Sequence, residues 1–202
     1  MSSASSLSKW DDAALKLAIV FGIAAAAWTV FEAVQRIIRI VPNRDVPVTA
    51  AFADSTATMP IGPGGAEVEV IPTQVTLSVS DMPPITLWSL ILAEVAYALA
   101  VVTVIALVCL VIRNITRGAA FAPRTVGYIG SATIVLGVGW IVTWLFRTMG
   151  ANGGSAALAD GSPVNTAFAI EPVLFFAIAS MGVLAAAFQI GGKLQRENEG
   201  LV

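Results

Sequence analysis

Four long hydrophobic blocks, separated by polar or turn-rich segments, dominate the pattern along the chain. They predict transmembrane helices over residues 13–40, 86–112, 125–147 and 168–191. Each block is long enough for the roughly 20 apolar residues that a helix needs to cross the hydrocarbon of a bilayer. The sequence therefore predicts a single membrane domain over residues 1–202, with an all-α bundle of four transmembrane helices.

The segment between the first two predicted helices, residues 41–85, has a different pattern. Prolines and the glycine-rich turn at 62–65 divide it into short runs in which apolar and polar residues alternate. Such alternation is typical of β-strands, and the predicted strands cover 46–52, 66–71 and 73–80. We expect this segment to form a small β-rich loop outside the bilayer.

The lysines and arginines predict the orientation of the bundle, because positive residues favour the cytoplasmic side. With four spans, one side carries Lys9, Lys16, Arg113, Arg117, Arg124, Lys193 and Arg196, and the other carries Arg36, Arg39, Arg44 and Arg147. This bias predicts cytoplasmic termini, a cytoplasmic loop over 113–124 and a cytoplasmic tail over 192–202. The segments 41–85 and 148–167 are then extracytoplasmic, and the protein is expected to be a multi-pass protein of the bacterial plasma membrane.

Composition narrows the classes of function. The chain is 57% hydrophobic and 12% charged, whereas soluble domains are about a quarter charged. It contains no histidine and one cysteine, which removes the commonest general base and most zinc and iron sites. Familiar catalytic motifs and basic nucleic-acid-binding patches are also missing from the sequence. We therefore expect a non-enzymatic protein with no metal, no cofactor and no direct contact with nucleic acid.

Charged and polar residues near the outer ends of the predicted helices form a candidate intramembrane polar network. Its members are Glu32, Gln35, Arg36, Arg39, Glu94, Arg147 and Glu171. Ionisable groups in hydrocarbon are costly and therefore become candidates for function. Glu32 precedes Arg36 by four residues, a spacing that favours an ion pair within the helix. Glu171 precedes Pro172, where an acid complements the dipole of the fourth helix.

Glu94 has no such local explanation. It lies about 12 Å inside the predicted start of the second helix, at about 1.5 Å per residue. One interpretation is a structural buried network with the outer arginines. The other is a role in binding an ion, a proton or a ligand, although the interrupted spans typical of repeat transporters are missing from the sequence.

Small residues in the third and fourth helices allow helix backbones to approach closely. They are Gly127, Gly130, Ser131, Gly137, Gly139, Gly182 and Ala186. Packing within one bundle is one interpretation. The other is self-association through the third helix, which would make the protein a homo-oligomer.

Two short motifs resemble a bacterial family called domain of unknown function 2975, whose members are small four-helix membrane proteins. The loop 115–121 reads ITRGAAF, similar to the family's R-G-x-x-F loop, and the ending GKLQRENEGLV is similar to its L-x-x-E/D-x-E-G-L-V tail. The Glu-Gly-Leu-Val ending resembles an actinobacterial variant. Some relatives are encoded beside small helix-turn-helix regulators, so the resemblance implies a regulatory partnership. The family supplies no catalytic or binding residues. The loop and tail themselves offer candidate cytoplasmic contacts, namely Arg117, Gly118, Phe121, Glu197, Leu201 and Val202.

These features lead to one main hypothesis and two alternatives. The main hypothesis is an interaction or regulatory protein that is anchored in the lipid bilayer by its four helices. It would bind protein partners through the extracytoplasmic loop and through the cytoplasmic loop and tail. The first alternative is a small oligomeric channel or transporter that uses Glu94. The second is an accessory subunit of a larger membrane complex.

Overall fold

The computed structural model describes residues 9–51, 56–71, 74–158 and 172–199. Its helices are α1 (Lys9–Ile40), α2 (Pro84–Thr116), α3 (Pro123–Leu158) and α4 (Pro172–Glu199). All four contain a stretch that is long and apolar enough to cross a membrane. The prediction of a mostly helical chain with four such helices is confirmed.

Proline marks the beginning of three helices, because its fixed φ suits the first turn and its missing N–H has no intrahelical partner there. These prolines are Pro84, Pro123 and Pro172. The end of α2 is marked by Gly118, whose φ of 74° is the left-handed conformation that commonly terminates helices. There the Ala119 amide donates to the Asn114 carbonyl at 2.9 Å.

The helices extend beyond most of their predicted ends. α1 begins at Lys9 instead of residue 13, and α2 covers Pro84–Thr116 instead of 86–112. The cytoplasmic loop predicted over 113–124 is correspondingly shorter. The predicted tail over 192–202 is helical as far as Glu199, because α4 continues through it.

The third helix was predicted to end at residue 147 and to be followed by a loop over 148–167. This prediction was wrong for residues 148–158. α3 continues to Leu158, and residues 159–167 of the predicted loop lie outside the described residues. Glycines suggested irregular structure because glycine lowers helix propensity by about 1 kcal/mol relative to alanine. In the folded chain these glycines lie where other elements approach α3, so tertiary packing outweighs propensity. A Cβ at Gly150, Gly153 or Gly154 would meet Leu90, Thr86 or Val48, respectively.

Two small antiparallel sheets form between α1 and α2. β1 (Val46–Ala51) pairs with β4 (Gln74–Val79), and β2 (Ala57–Met59) pairs with β3 (Val68–Val70). The predicted strands over 46–52 and 73–80 correspond to β1 and β4, and the one over 66–71 corresponds to β3. The short strand β2 was not predicted.

The chain divides into two compact units. The hairpin unit contains residues 35–94 and 143–170, and the helical unit contains residues 1–34, 95–142 and 171–202, in each case as far as the structure describes them.

The hairpin unit contains a hydrophobic core between the β1–β4 sheet and helix ends. One face of β1 is fully buried through Val46, Val48 and Ala50, whereas Pro47 and Thr49 on the other face are exposed. This alternation is the period of two expected for a strand with one covered face. The core comprises Ile40, Val46, Val48, Val79 and Met82, with Leu77, Leu87, Leu90, Ile91 and Ala151 packed against it. The first turns of α2 and residue 151 of α3 therefore belong to the same core as the sheet.

Asn43 joins the two ends of the segment that connects α1 to α2. Its side-chain Nδ2 donates to the Met82 carbonyl, and its Oδ1 accepts from the Met82 amide, each at 3.0 Å. Its own carbonyl accepts from the Asp81 amide at 3.0 Å. The φ of Asn43 is 53°, a left-handed conformation that asparagine tolerates better than most residues. A single side chain thus closes the base of the β1–β4 hairpin.

Within the helical unit the small residues differ in how closely other elements approach them. A Cβ at Gly139 would collide with the Cβ of Ala100, so α2 and α3 are in close contact at this position. The packing interpretation is therefore confirmed for Gly139. Three others have no neighbouring heavy atom within 4 Å of such a Cβ, namely Gly127, Gly130 and Gly182.

Candidate functional site

A carboxylate held between two guanidinium groups is the main charged feature of the hairpin unit. Nη1 of Arg36 lies 3.6 Å from Oε1 of Glu94, and Nη2 of Arg147 lies 3.8 Å from the same oxygen. The three residues come from α1, α2 and α3. The side chain of Glu94 is 12% exposed, whereas those of Arg36 and Arg147 are 45% and 49% exposed. We call these three residues the arginine–glutamate cluster.

Helical spacing places the cluster next to the core of the hairpin unit. Arg36 is four residues before Ile40, Glu94 is four residues after Leu90, and Arg147 is four residues before Ala151. Ile40 is a core residue, and Leu90 and Ala151 pack against that core. Four residues is about one helical turn, so each charged residue lies on the same face as a core contact and about 6 Å farther along its helix.

The geometry of the cluster is that of a shared ion pair. Both nitrogen–oxygen distances exceed the roughly 2.7–2.9 Å of a charge-assisted hydrogen bond, so the attraction is mainly between charges. Two guanidinium groups against one carboxylate leave a net charge of one positive. The arrangement can neutralise Glu94 and connect three helices, while about half of each arginine side chain remains accessible.

Replacing Glu94 with glutamine is expected to lower the free energy of unfolding by about 1–2 kcal/mol. Losing one partner of a buried ion pair costs about 3–5 kcal/mol, and the half-exposed arginines reduce this effect through solvent screening. Thermal unfolding in detergent would measure the change. Glu67→Gln makes the same change at an exposed position and is expected to stay within about 0.5 kcal/mol of the parent. Equal stability of both variants would contradict a structural role for the cluster.

The structure places the remaining members of the predicted polar network differently. Nε of Arg39 donates to the backbone carbonyl of Gln35 at 3.4 Å, one turn earlier in α1. Glu32 is exposed one turn before Arg36, and its predicted pairing with Arg36 stays a prediction. Glu171 lies outside the described residues. The structure therefore brings Arg36, Glu94 and Arg147 together from the seven residues of the predicted network.

The loop between α2 and α3 contacts α4 through Phe121. A Cβ at Gly191 would lie 2.6 Å from the ring of Phe121, and one at Gly192 would lie 3.1 Å from its carbonyl oxygen. The ring also lies 5.6 Å from that of Phe188, between centroids. The two glycines allow this approach, whereas the sequence analysis placed Gly191 at the end of the fourth helix and Gly192 at the start of the tail.

The other candidate cytoplasmic contacts are more dispersed. Gly118 ends α2, and Arg117 beside it is exposed. Glu197 lies 3.9 Å from Nζ of Lys193 in an exposed pair on α4. Leu201 and Val202 lie outside the described residues. Of this set, Phe121 is the residue that connects the loop to α4.

No group of three or more histidine, cysteine, aspartate or glutamate residues that could hold a metal ion occurs within the described ranges.

Asn43 is the position in the hairpin unit that sequence reasoning missed. An asparagine directly after a helix-ending proline was its only signal.

Comparisons with protein-family models, curated proteins and solved structures find no match to this chain.

Proposed function

We propose that this chain is an integral membrane protein that acts by binding other proteins, as an interaction, regulatory or accessory protein, and that it is not an enzyme. The observation that carries the proposal is the hairpin unit. Its sheet shares a core with the ends of α1, α2 and α3, and Asn43 closes the base of its hairpin. It therefore combines a sheet that is packed on the ends of three long apolar helices with an exposed turn.

The charges along the helices support a membrane boundary at the arginine–glutamate cluster. In α2, the uncharged residues 95–112 separate Glu94 from Arg113 and measure roughly 27 Å at about 1.5 Å per residue. In α3, the uncharged residues 125–146 separate Arg124 from Arg147 and measure roughly 33 Å. Both lengths match the roughly 30 Å of bilayer hydrocarbon.

This boundary changes the interpretation of Glu94. The first turns of α2 pack with the sheet, so the beginning of the helix does not mark the membrane surface. Glu94 then lies at the headgroup level with two compensating cations. The geometry favours the structural interpretation of Glu94 and lends no specific support to a channel or transporter.

The second sheet offers a surface for a protein partner. Ile61 is 67% exposed, Ile71 is 71% exposed, and Val68 is also exposed. Exposed apolar surface typically marks an interaction site, and these three side chains belong to one short segment, 61–71. Glu67 and Glu69 on the same segment are exposed. A partner that combines apolar and basic side chains would suit this surface, which we call the hairpin tip.

Orientation and family membership are parts of the same proposal. The lysine and arginine bias places the hairpin unit outside the bacterial plasma membrane and both termini in the cytoplasm. Membership in the domain of unknown function 2975 family is supported by the loop and tail motifs, and Phe121 and Glu197 in these segments are the candidates for an inner contact.

The double variant Ile61→Ser/Ile71→Ser is expected to lose a stoichiometric partner that the full chain retains in mild detergent. Each apolar contact in the centre of an interface contributes about 1–2 kcal/mol, so recovery of the partner should fall by about tenfold or more. The measurement is affinity purification followed by quantitative mass spectrometry.

Thr49→Ser/Thr76→Ser provides the matched control, because both residues are exposed on the other sheet. This control is expected to retain the partner. Removal of Leu201 and Val202 tests the inner contact separately. The proposal would be wrong if the full chain held no stoichiometric protein partner, or if the same partner stayed bound to the tip variant and to the truncated chain alike.

A further inference from the structure

The arginine–glutamate cluster has the geometry of a phosphate-binding site. Nη1 of Arg36 and Nη2 of Arg147 lie within 3.8 Å of the same oxygen of Glu94, so the two nitrogens are separated by no more than twice that distance. Two oxygens of one phosphate group can span such a gap with nitrogen–oxygen distances of about 2.9 Å. Guanidinium groups are also the preferred partners of phosphate in proteins.

The charge and accessibility of the cluster favour an anion. Two guanidinium groups and one carboxylate leave a net positive charge. On α1, the oppositely charged Glu32 and Arg39 lie about one turn to either side of Arg36 and together add no net charge. Glu94 is 12% exposed, but the arginine side chains are 45% and 49% exposed. About half of each arginine side chain is therefore accessible to an incoming anion while the carboxylate stays largely buried.

The site's position along the helices favours a lipid. The inference rests on the membrane insertion proposed above, which places the cluster at the end of an uncharged stretch about as long as the hydrocarbon is thick. Phospholipid phosphates occupy that level. We propose that Arg36 and Arg147 jointly bind the phosphate of an anionic phospholipid headgroup.

The experiment compares lipid retention by the full chain in nanodiscs made from phosphatidylcholine alone or from a phosphatidylcholine–phosphatidylglycerol mixture. Native mass spectrometry after release from the disc counts the lipids that stay bound. We expect the parent chain to retain phosphatidylglycerol preferentially. Two arginines at a membrane surface correspond to a gain of about tenfold to thirtyfold in affinity, and Arg36→Gln/Arg147→Gln is expected to lose it.

The matched control is Arg117→Gln/Arg124→Gln, which removes the same charge from two exposed arginines of the α2–α3 loop. By the same charge arithmetic this control loses non-specific attraction to anionic lipid, so its preference is expected to fall less than that of Arg36→Gln/Arg147→Gln, which also loses the shared site. Glu94→Gln separates binding from structure, because it removes the carboxylate but keeps both arginines. Its preference for phosphatidylglycerol is expected to equal or exceed that of the parent. Arg147→Lys, which keeps the charge and loses the fork of donors, is expected to show an intermediate preference and provides a second variant if the double variant does not fold.

The results distinguish a lipid from a free anion as the source of the phosphate. They also distinguish failure of the phosphate site from failure of the proposed membrane insertion. Equal retention of both lipids by the parent chain, or equal losses in the two double variants, would overturn the site. A thermal shift produced by inorganic phosphate in phosphatidylcholine discs, as large as that from phosphatidylglycerol, would overturn the lipid as the source and identify a free anion. Resistance of the chain to alkaline carbonate extraction tests membrane insertion independently of both results.

Discussion

Gly139→Ala is expected to lower the free energy of unfolding by about 3 kcal/mol, although alanine is the better helix former. The added Cβ would occupy the same space as the Cβ of Ala100 on α2. Neither group can move away by rotating a side chain, so the two helix backbones would have to separate. Separation would weaken the contacts on both sides of the crossing. Thermal unfolding in detergent, followed by circular dichroism, would measure the effect.

A reciprocal exchange of the two residues tests this explanation. In Ala100→Gly/Gly139→Ala the number of methyl groups at the crossing is unchanged, and only the Cα of residue 100 remains near the new Cβ, at 3.6 Å. Helix propensity also balances, because one glycine is lost and one is gained. We expect the double variant to recover to within about 1 kcal/mol of the parent, a coupling typical of residues in contact.

Gly127→Ala is the control for the substitution itself. It lies in the same helix and has no heavy atom within 4 Å of the added Cβ, so its stability should be unchanged or higher by up to about 1 kcal/mol. The close-packing explanation would be wrong if Gly139→Ala and Gly127→Ala behaved alike.

Asn43→Ala is expected to destabilise the hairpin unit by about 2–4 kcal/mol. The substitution leaves the amide and the carbonyl of Met82 without their partner, and Met82 is buried. It also places alanine at a φ of 53°, which costs roughly 1 kcal/mol more than glycine does. Hydrogen exchange of the amides in β1 and β4 would detect opening of the hairpin, and thermal unfolding would measure the global effect.

Two further variants separate these contributions. Asn43→Gly loses the same hydrogen bonds but tolerates the positive φ, so it should be about 1 kcal/mol less destabilised than Asn43→Ala. Thr76→Ala changes an exposed residue of β4 and should remain within about 0.5 kcal/mol of the parent. Unchanged exchange rates in both Asn43 variants would show that the base of the hairpin does not depend on this side chain.

The helices and the longer strands could be predicted from the sequence. The four apolar blocks predicted the helices through their length and hydropathy. The alternation in β1 and β4 predicted the strands, because it reflects which face of the sheet is covered. The end of α3 could not be predicted from local preferences. Gly150 and Gly153 disfavour a helix in isolation. In the folded chain Leu90 and Thr86, which are distant in sequence, occupy the space that a Cβ at these two positions would need.

The candidate site could be predicted in part. Gln35, Arg36, Arg39 and Arg147 were expected in the same half of the helices as Glu94, and the structure brings Arg36 and Arg147 to it. Arg39 instead donates to the carbonyl of Gln35. Which of these side chains reach Glu94 depends on how the three helices pack, and the first turns of α2 pack with the sheet in a way that its apolar pattern does not indicate.

The turn at the hairpin tip has a consequence for how this protein can diversify. Gly64 and Gly65 have φ values of 70° and 83°, and neither has a neighbouring heavy atom within 4 Å of an added Cβ. Lengthening such a turn costs little, because doubling a flexible loop adds only about 0.6 kcal/mol of closure entropy. Insertions, deletions and exchanges at this turn can therefore accumulate in evolution while the buried face of β1 and the helices stay unchanged. The exposed surface of this hairpin can change independently of the scaffold that carries it.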